Sequence, residues 1–550
     1  MQELIKFVPL NVGDISIFSW SDFLTALALM TIAWTLTDVR YQFRLQVAPF
    51  DIKRKSFYII CVVGALTLLT DLWKAEHWLV PNGDLLTFAQ WEALLGLIVF
   101  LLFIVWIWFA FMHPTKFSQY NAYRYADAVS KIIMKSSESE MAVLADELKY
   151  SANALIKSAS NTTKDDRQTV FTNKEKCAND ILQLMGDRRF CRAVVINSSG
   201  TIGAIFNELL SYNRYHVPIQ IFAKNVFTEA LNYKGSFIYH ENNFYENGLM
   251  GYQKPLLLKM FSNYYLIREI NVMLDVNYMD RSNWDAIQLD AYCRSVLIVI
   301  EDYINKCTIW EHSFQIYRAQ NNIVDFIQFQ FSKDMLVLDN DKMEKLEIVV
   351  NFVVKTIELL EKKDVPSHFR IKANRKNEHY ENYYDYIAEL IFKIIDSVSV
   401  VKMPIFERWS IQHNAVWAKF FNFGRLSSPC GEIIKHKVRR RLYDKIKNIN
   451  VCSYYAGTKI LSFCLNMFGI DSDYREHAKD HKALKKAILS WLIKNYASLN
   501  KELPEIAKEC LPENFTFDAD ENKITQMIYI GFIRRTSDER HLYVNSASVG

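Results

Sequence analysis

Three apolar runs dominate the first 113 residues, and beyond them the pattern turns amphipathic. The clearest run, Ala93 to Met112, reads ALLGLIVFLLFIVWIWFAFM and has no polar face. At 1.5 Å per residue, its 20 residues match a hydrocarbon layer of about 30 Å. Two earlier runs, about 17–37 and 57–73, predict two more spans. Asp22 and Asp71 fall near their ends, where a carboxylate can reach water. Trp20, Trp34, Trp73, Trp78 and Trp91 flank the runs as interfacial anchors do. The first run is not a signal peptide, because only Lys6 precedes it and no small-residue cleavage site follows. The expected transmembrane region is therefore 1–113, with spans at about 17–37, 57–73 and 92–113.

The charges of the connecting loops predict the orientation. Arg40, Arg44, Lys53, Arg54 and Lys55 lie between the first two runs, and only Lys74 lies between the second and third. Lys116, Arg124, Lys131 and Lys135 follow the third. By the positive-inside rule, the N-terminus is outside and everything after residue 113 is cytoplasmic. This describes a multi-pass protein of an inner (plasma) membrane. Asp22, Asp71 and Glu92 are the only acids in the spans, all near ends. An ion or proton path needs charge deeper in the bilayer. Anchoring is the simpler expectation, and a subunit of an oligomeric or bilayer-perturbing assembly is the other.

From Lys116 to Lys157 there is no Pro or Gly, and Val129, Ile132, Ile133, Leu144, Leu148 and Leu155 form one apolar stripe. This predicts a single long amphipathic stalk helix, its heptads interrupted at Ser136, Ser137 and Ser139. The polar stretch 158–167 reads as a linker. Ala193–Asn197 reads as a buried strand or a helix segment, and the following SSGTIG as a helix cap; it lacks the Lys of a P-loop. From Asp290 onward three- and four-residue apolar spacing predicts helices, and 524–533 with the following TSDER and HLYV predicts a terminal β-hairpin. The expected fold is a mainly α membrane protein: 114–167 stalk and linker, 168–425 a helical cytosolic domain with minor β, 426–550 a C-terminal domain.

Composition narrows the classes. Gly (16) and Pro (11) are scarce in 550 residues, which argues against collagenous and turn-rich all-β chains. Lys plus Arg (65) nearly balances Asp plus Glu (61), so no polyelectrolyte signal points to nucleic acid. Nine Cys, with no C-x-x-C pair, fit free thiols in a reducing compartment.

Candidate chemistry is thin. In this Gly-poor chain, 235–255 gathers three Gly with His240, Glu241 and Glu246, a set that could do acid–base work if it converged; otherwise it is a structural hairpin. His477 and His481 share a helix face with Asp473, but no third ligand follows at a recognisable spacing, so they read as a solvated face. Asp471-Ser-Asp473 and Asp518-Ala-Asp520 lack the Gly and Glu of a calcium loop. No metal or cofactor is expected. The strongest charge feature is 432–447, where Ile434, Val438, Leu442 and Ile446 form a stripe. Lys435, Lys437, Arg439, Arg440, Arg441, Lys445 and Lys447 crowd its other faces, as suits anionic lipid or an acidic partner. A similar segment, 477–496, follows.

A few N-terminal spans ahead of a large cytosolic part without catalytic signatures resembles the layout of bacterial membrane-anchored sensor and effector proteins, including components of stress and phage-defence systems. The resemblance is one of layout and carries no residues across. It implies a tethered sensor, effector or scaffold that binds a cytosolic protein or signal and perturbs the bilayer. The expected partners are the lipid bilayer, a cytosolic protein and further copies of the chain. The alternative is a membrane-bound enzyme with its site near 235–255.

Overall fold

The computed structural model describes residues 6–9, 16–35, 38–49, 51–82, 87–160, 171–246, 255–306, 313–328, 330–331, 339–362, 382–422, 426–449, 454–470, 480–529 and 536–545. Among these the chain is mostly helical, with few strands. It forms two compact units, Met1–Met260 and Phe261–Gly550. The boundary falls inside the stretch 168–425 that the sequence pattern groups as one domain.

The first unit begins with β1 (Lys6–Pro9), antiparallel to β2 (Leu79–Asn82). Between them run α1 (Trp20–Trp34), α2 (Val39–Gln46) and α3 (Ile52–Ala75). Then α4 (Phe88–Ile107) continues without a break into a π-helical turn, Trp108–Met112. Local signals place the starts: Ser19 with Asp22, and Thr87 with Gln90, form capping boxes on α1 and α4. The Trp20 N–H donates to Asp71 at 2.9 Å and the Ile17 N–H to Glu92 at 2.7 Å. The start of α1, the end of α3 and the start of α4 therefore meet at one end of the bundle. α3 and the helix Phe88–Met112 are each long and apolar enough to cross a membrane. Two bent pairs, α1 with α2 and Arg188–Asn197 with Ser199–Tyr212, reach that composition only together, so the described residues hold two such segments, or up to four if each bent pair is one span. Where the sequence predicts a first span over 17–37, α1 has 15 residues, because Asp38 already caps α2.

The expected single stalk helix is two helices, α5 (Ala122–Lys135) and α6 (Glu138–Ser158). Ser136 is extended, and Ser137 opens α6 through a capping box with Glu140. Nor does the pair stand alone: α5 packs on α7 (Asn173–Leu184), and α6 on α8 (Arg188–Asn197) and α9 (Ser199–Tyr212). Ala193–Asn197 is thus helical. Ser198 stands at the start of α9, where α8 and α9 meet at 105°, but its hydroxyl does not cap. α10 (Gln220–Asn232), α11 (Phe237–Glu246) and α12 (Leu256–Phe261) complete the unit.

The second unit opens with α13 (Tyr264–Ile270), α14 (Tyr278–Ser282), α15 (Ala286–Lys306) and α16 (Phe314–Val324). Next come α17 (Asn340–Glu361), α18 (Tyr383–Val398), α19 (Ile405–Trp409), a π-helix Ser410–Trp417, and α20 (Ala418–Phe421). Last are α21 (Pro429–Lys447), α22 (Tyr454–Phe468), α23 (Lys482–Glu502) and α24 (Pro504–Cys510). The core joins α15 to α17, α18 to α21, and α21 to α23. A run of rings, Tyr264, Tyr303, Tyr383, Tyr317 and Tyr386, threads it, the last two stacked at 3.9 Å. The expected hairpin is part of a three-stranded antiparallel sheet, β3 (Phe515–Asp518), β4 (Lys523–Tyr529) and β5 (Thr536–Tyr543). TSDER belongs to β5 itself, paired through Met527 with Glu539 and Ile528 with Asp538. Cys61 is exposed and the six other described cysteines are buried and free; Cys307 and Cys452 lie outside the described residues.

Ser137→Ala removes the cap that divides α5 from α6. It should cost about 1 kcal/mol in chemical denaturation of the full chain, and an unchanged midpoint would show that packing alone sets the break.

Candidate functional site

The most developed polar arrangement is where the helix Phe88–Met112 ends, beside α2 and α6. Asp38 caps α2, a short amphipathic helix that packs against the π turn, α3, α5 and α6. This places Arg44, only 8% exposed, under the last turn of the helix that ends at Met112. Arg44 Nη1 donates to the carbonyls of Ala110 and Phe111 at 3.2 and 3.3 Å. Carbonyls at a helix end lack intrahelical donors and carry the negative end of the helix dipole, so a guanidinium suits them. Nε and Nη2 of the same group clamp both carboxylate oxygens of the buried Glu147 on α6, at 2.8 and 2.7 Å. Arg40 adds longer contacts, 3.6 Å to Glu147 and 3.5 Å to Asp146. Asp146 accepts from Ser198 Oγ at 2.6 Å, and Thr201 donates to the Ala145 carbonyl at 2.7 Å. One polar chain therefore links the end of the apolar helix to α6 and to the α8–α9 corner. Beneath it, Asn121 donates to the Val47 and Lys116 carbonyls, and Phe43, Phe117 and Tyr125 pack edge to face.

The sequence pattern reads Arg40 and Arg44 only as loop charges. It does not find Glu147, although one signal exists. Glu147 sits beside Leu144 and Leu148 on the buried face of α6, where a charge needs a partner.

The stretch 235–255 does not form the expected hairpin: residues 237–246 are helix α11. His240 is exposed. Glu241 caps α12, accepting from the Leu256 and Leu257 N–H groups at 2.8 and 2.7 Å. Burial pushes its carboxyl above the usual range, and these hydrogen bonds oppose the shift. The Glu246 side chain and residues 247–254 lie outside the described residues.

α21 follows the sequence closely, with Ile434, Val438, Leu442 and Ile446 all buried. Its charges are largely used inside the unit. Lys435 pairs with Glu432 at 2.5 Å, Lys437 with Asp385, Arg439 with Asp480 at 3.7 Å, Arg440 with Asp444 at 3.2 Å, and Arg441 with Glu389 at 3.4 Å. Burial pulls the Arg439 pKa below its ordinary value, against the pull of Asp480 and Glu432. Burial pushes the Asp396 carboxyl up, against the downward pull of Lys459 and Lys445. On the neighbouring segment, Leu484, Ile488 and Trp491 are buried as their spacing predicts.

His481 does not lie on a solvated face. The rings of Trp417, Phe421 and Phe468 surround it at 5.4, 5.7 and 5.3 Å. Burial first, and Arg439 second, lower its pKa to about 4. His477, Asp471 and Asp473 lie outside the described residues. Among those described, no three His, Cys, Asp or Glu side chains are grouped to hold a metal. Asp518 instead closes a turn, accepting from the Asp520 and Glu521 N–H groups.

No known protein family, curated protein or solved structure matches this chain.

Two outcomes test this geometry. Glu147→Ala leaves a buried guanidinium uncompensated and should cost about 3–5 kcal/mol, whereas adding Arg44→Met should recover a large part of the loss. Denaturation of the detergent-solubilised chain reads both; a milder double mutant is the signature of a buried pair. His481 titrates lower in the folded than in the unfolded chain, where a His sits near 6.5. Its contribution is therefore present above pH 6.5 and is lost as pH falls towards about 4. The charged groups facing it are Asp480, Arg439 and Lys435. His481→Phe should flatten the melting-temperature profile between pH 6.5 and 4.5, and an unaltered slope would refute the assignment.

Proposed function

We propose that this protein is a membrane-anchored sensor or effector in which α1, α3 and the helix Phe88–Met112 cross an inner membrane. The N-terminus is outside and the helical parts lie in the cytosol. Binding of a cytosolic protein or signal to those parts is passed to the spanning helices through the Arg44–Glu147 junction. The observation that carries this reading is the buried bidentate pair, which ties the last carbonyls of an apolar helix to α6. A passive tether needs no such bond. A flexible linker of polar residues would hold the chain equally well. A rigid clamp instead means that a shift of α6 moves the end of the spanning helix, and self-association of such units would perturb the bilayer. The enzyme reading centred on His240 and Glu241 draws less support, because Glu241 is engaged as a helix cap.

A reporter fused after residue 160 should report the cytosol, and one placed near Gly83 the outside. The reverse pattern would overturn the orientation. In a cell-based assay of membrane integrity on overexpression, Glu147→Ala should uncouple any permeabilisation from expression level while the protein still inserts. Permeabilisation that is undiminished by a correctly inserted Glu147→Ala chain would remove the junction from the mechanism.

A further inference from the structure

The first unit exposes two large aromatic side chains at an unusual place. Tyr120 is 85% exposed and Tyr123 is 79% exposed, the highest values among its large apolar and aromatic residues. Tyr120 lies in the turn just before α5 and Tyr123 in its first turn, both outside the buried face formed by Ala122, Tyr125, Val129 and Ile133. The start of α5 is tied to the bases of both long apolar helices. Arg124 donates to the Pro49 carbonyl at 2.7 Å, three residues before α3 begins, and Asn121 bonds the Val47 and Lys116 carbonyls. Lys116 itself is four residues past the last turn of the helix that ends at Met112.

Exposed cations share this rim. Lys53 and Arg54 stand in the first turn of α3, Arg54 over the ring of Tyr58 at 5.8 Å, and Lys116 is exposed on the other strand of the junction. The carboxylate closest in sequence, Asp51, is spent on the Arg54 N–H as the α3 cap. The charges of Arg40 and Arg44, by contrast, are turned inward to Asp146 and Glu147. The rim thus joins Tyr rings, which favour the headgroup layer with an apolar body and a wet hydroxyl, to cations that make no ion pair among the described residues.

We infer that Tyr120 and Tyr123, with Lys53, Arg54 and Lys116, form a collar that binds the anionic phospholipid headgroups of the leaflet at which α3 begins and the Phe88–Met112 helix ends. The inference rests on the reading of those two helices as membrane spans. It makes the start of α5 a membrane-contact element, and it replaces α21, whose cations are mostly paired, as the principal lipid contact. Bound headgroups hold α5 at the membrane surface, beside the Arg44–Glu147 junction.

The test uses the full chain in nanodiscs of phosphatidylcholine with and without phosphatidylglycerol. Benzoylphenylalanine is placed singly at Tyr120, Tyr123, Phe100 or Ile221, and lipid adducts are read by mass spectrometry. Phe100 is exposed on α4 and reports the hydrocarbon; Ile221 is exposed on α10, which packs behind α7, and reports water. Adducts are expected at positions 120, 123 and 100 and not at 221, with phosphatidylglycerol enriched at 120 and 123. Lys53→Gln with Arg54→Gln and Lys116→Gln should lower that enrichment, by up to roughly five-fold for each charge removed, and added salt should mimic it. Adducts at 100 but not at 120 or 123 would overturn the collar and leave the spans intact. Absence of adducts at 100 would overturn the spans. Adducts at 120 and 123 without preference for the anionic lipid would overturn the role of the three cations.

Discussion

A single guanidinium, that of Arg44, organises the first unit. It is buried, so it must be compensated, and the two available compensations lie on different parts of the chain: the carboxylate of Glu147 and the orphan carbonyls at Ala110 and Phe111. Meeting both demands fixes where α6 sits relative to the end of the long apolar helix. Ion pairs of this kind add little net stability over a well-packed apolar substitute, but breaking one is costly. Their value is in selecting one arrangement, here one in which α2, α6 and the helix end cannot move independently.

The second unit uses its charges differently. Lys437 and Arg441 of α21 meet Asp385 and Glu389 of α18, and Arg439 meets Asp480 just before α23. A helix that is strongly basic in sequence is thereby close to neutral in its folded surroundings. The apolar stripe of the same helix faces the core, so its amphipathic pattern is accounted for by packing. Charge patterning along one helix does not report the acids that other helices bring to it.

The features legible in the sequence were those set by short stretches. The apolar runs depend only on composition, and the stripe of α21 only on four-residue spacing. The cap at Ser137 was legible too, as Ser-x-x-Glu, but the absence of Pro and Gly suggested continuity, and the local hydrogen bonds decided otherwise. The pair of Arg44 with Glu147 lies 103 residues apart in sequence, and no spacing rule reaches that far. The same holds for the rings of Trp417, Phe421 and Phe468, which turned His481 from a solvent-facing residue into an enclosed one. Glu241 lost its free carboxylate to α12, fifteen residues on. The terminal hairpin was legible from 524–533 and HLYV, whereas the third strand, β3, pairs on the other edge of β4 and left no comparable signal.

The π turn at Trp108–Met112 has a consequence for length variation. A π turn is an α-helix carrying one surplus residue, and its final bond here runs from the His113 N–H to the Trp108 carbonyl. Each residue of an α-helix advances the chain by about 100° around its axis. A one-residue deletion within 108–112 would relax the turn to regular helix and swing the Ala110 and Phe111 carbonyls to another side, away from Arg44. An insertion of the same size upstream would turn this last stretch by the same angle relative to the part of α4 that packs on α1 and α3. The length of the apolar segment therefore carries angular information as well as hydrophobicity: adding or removing one residue re-aims the carbonyls that Arg44 reads.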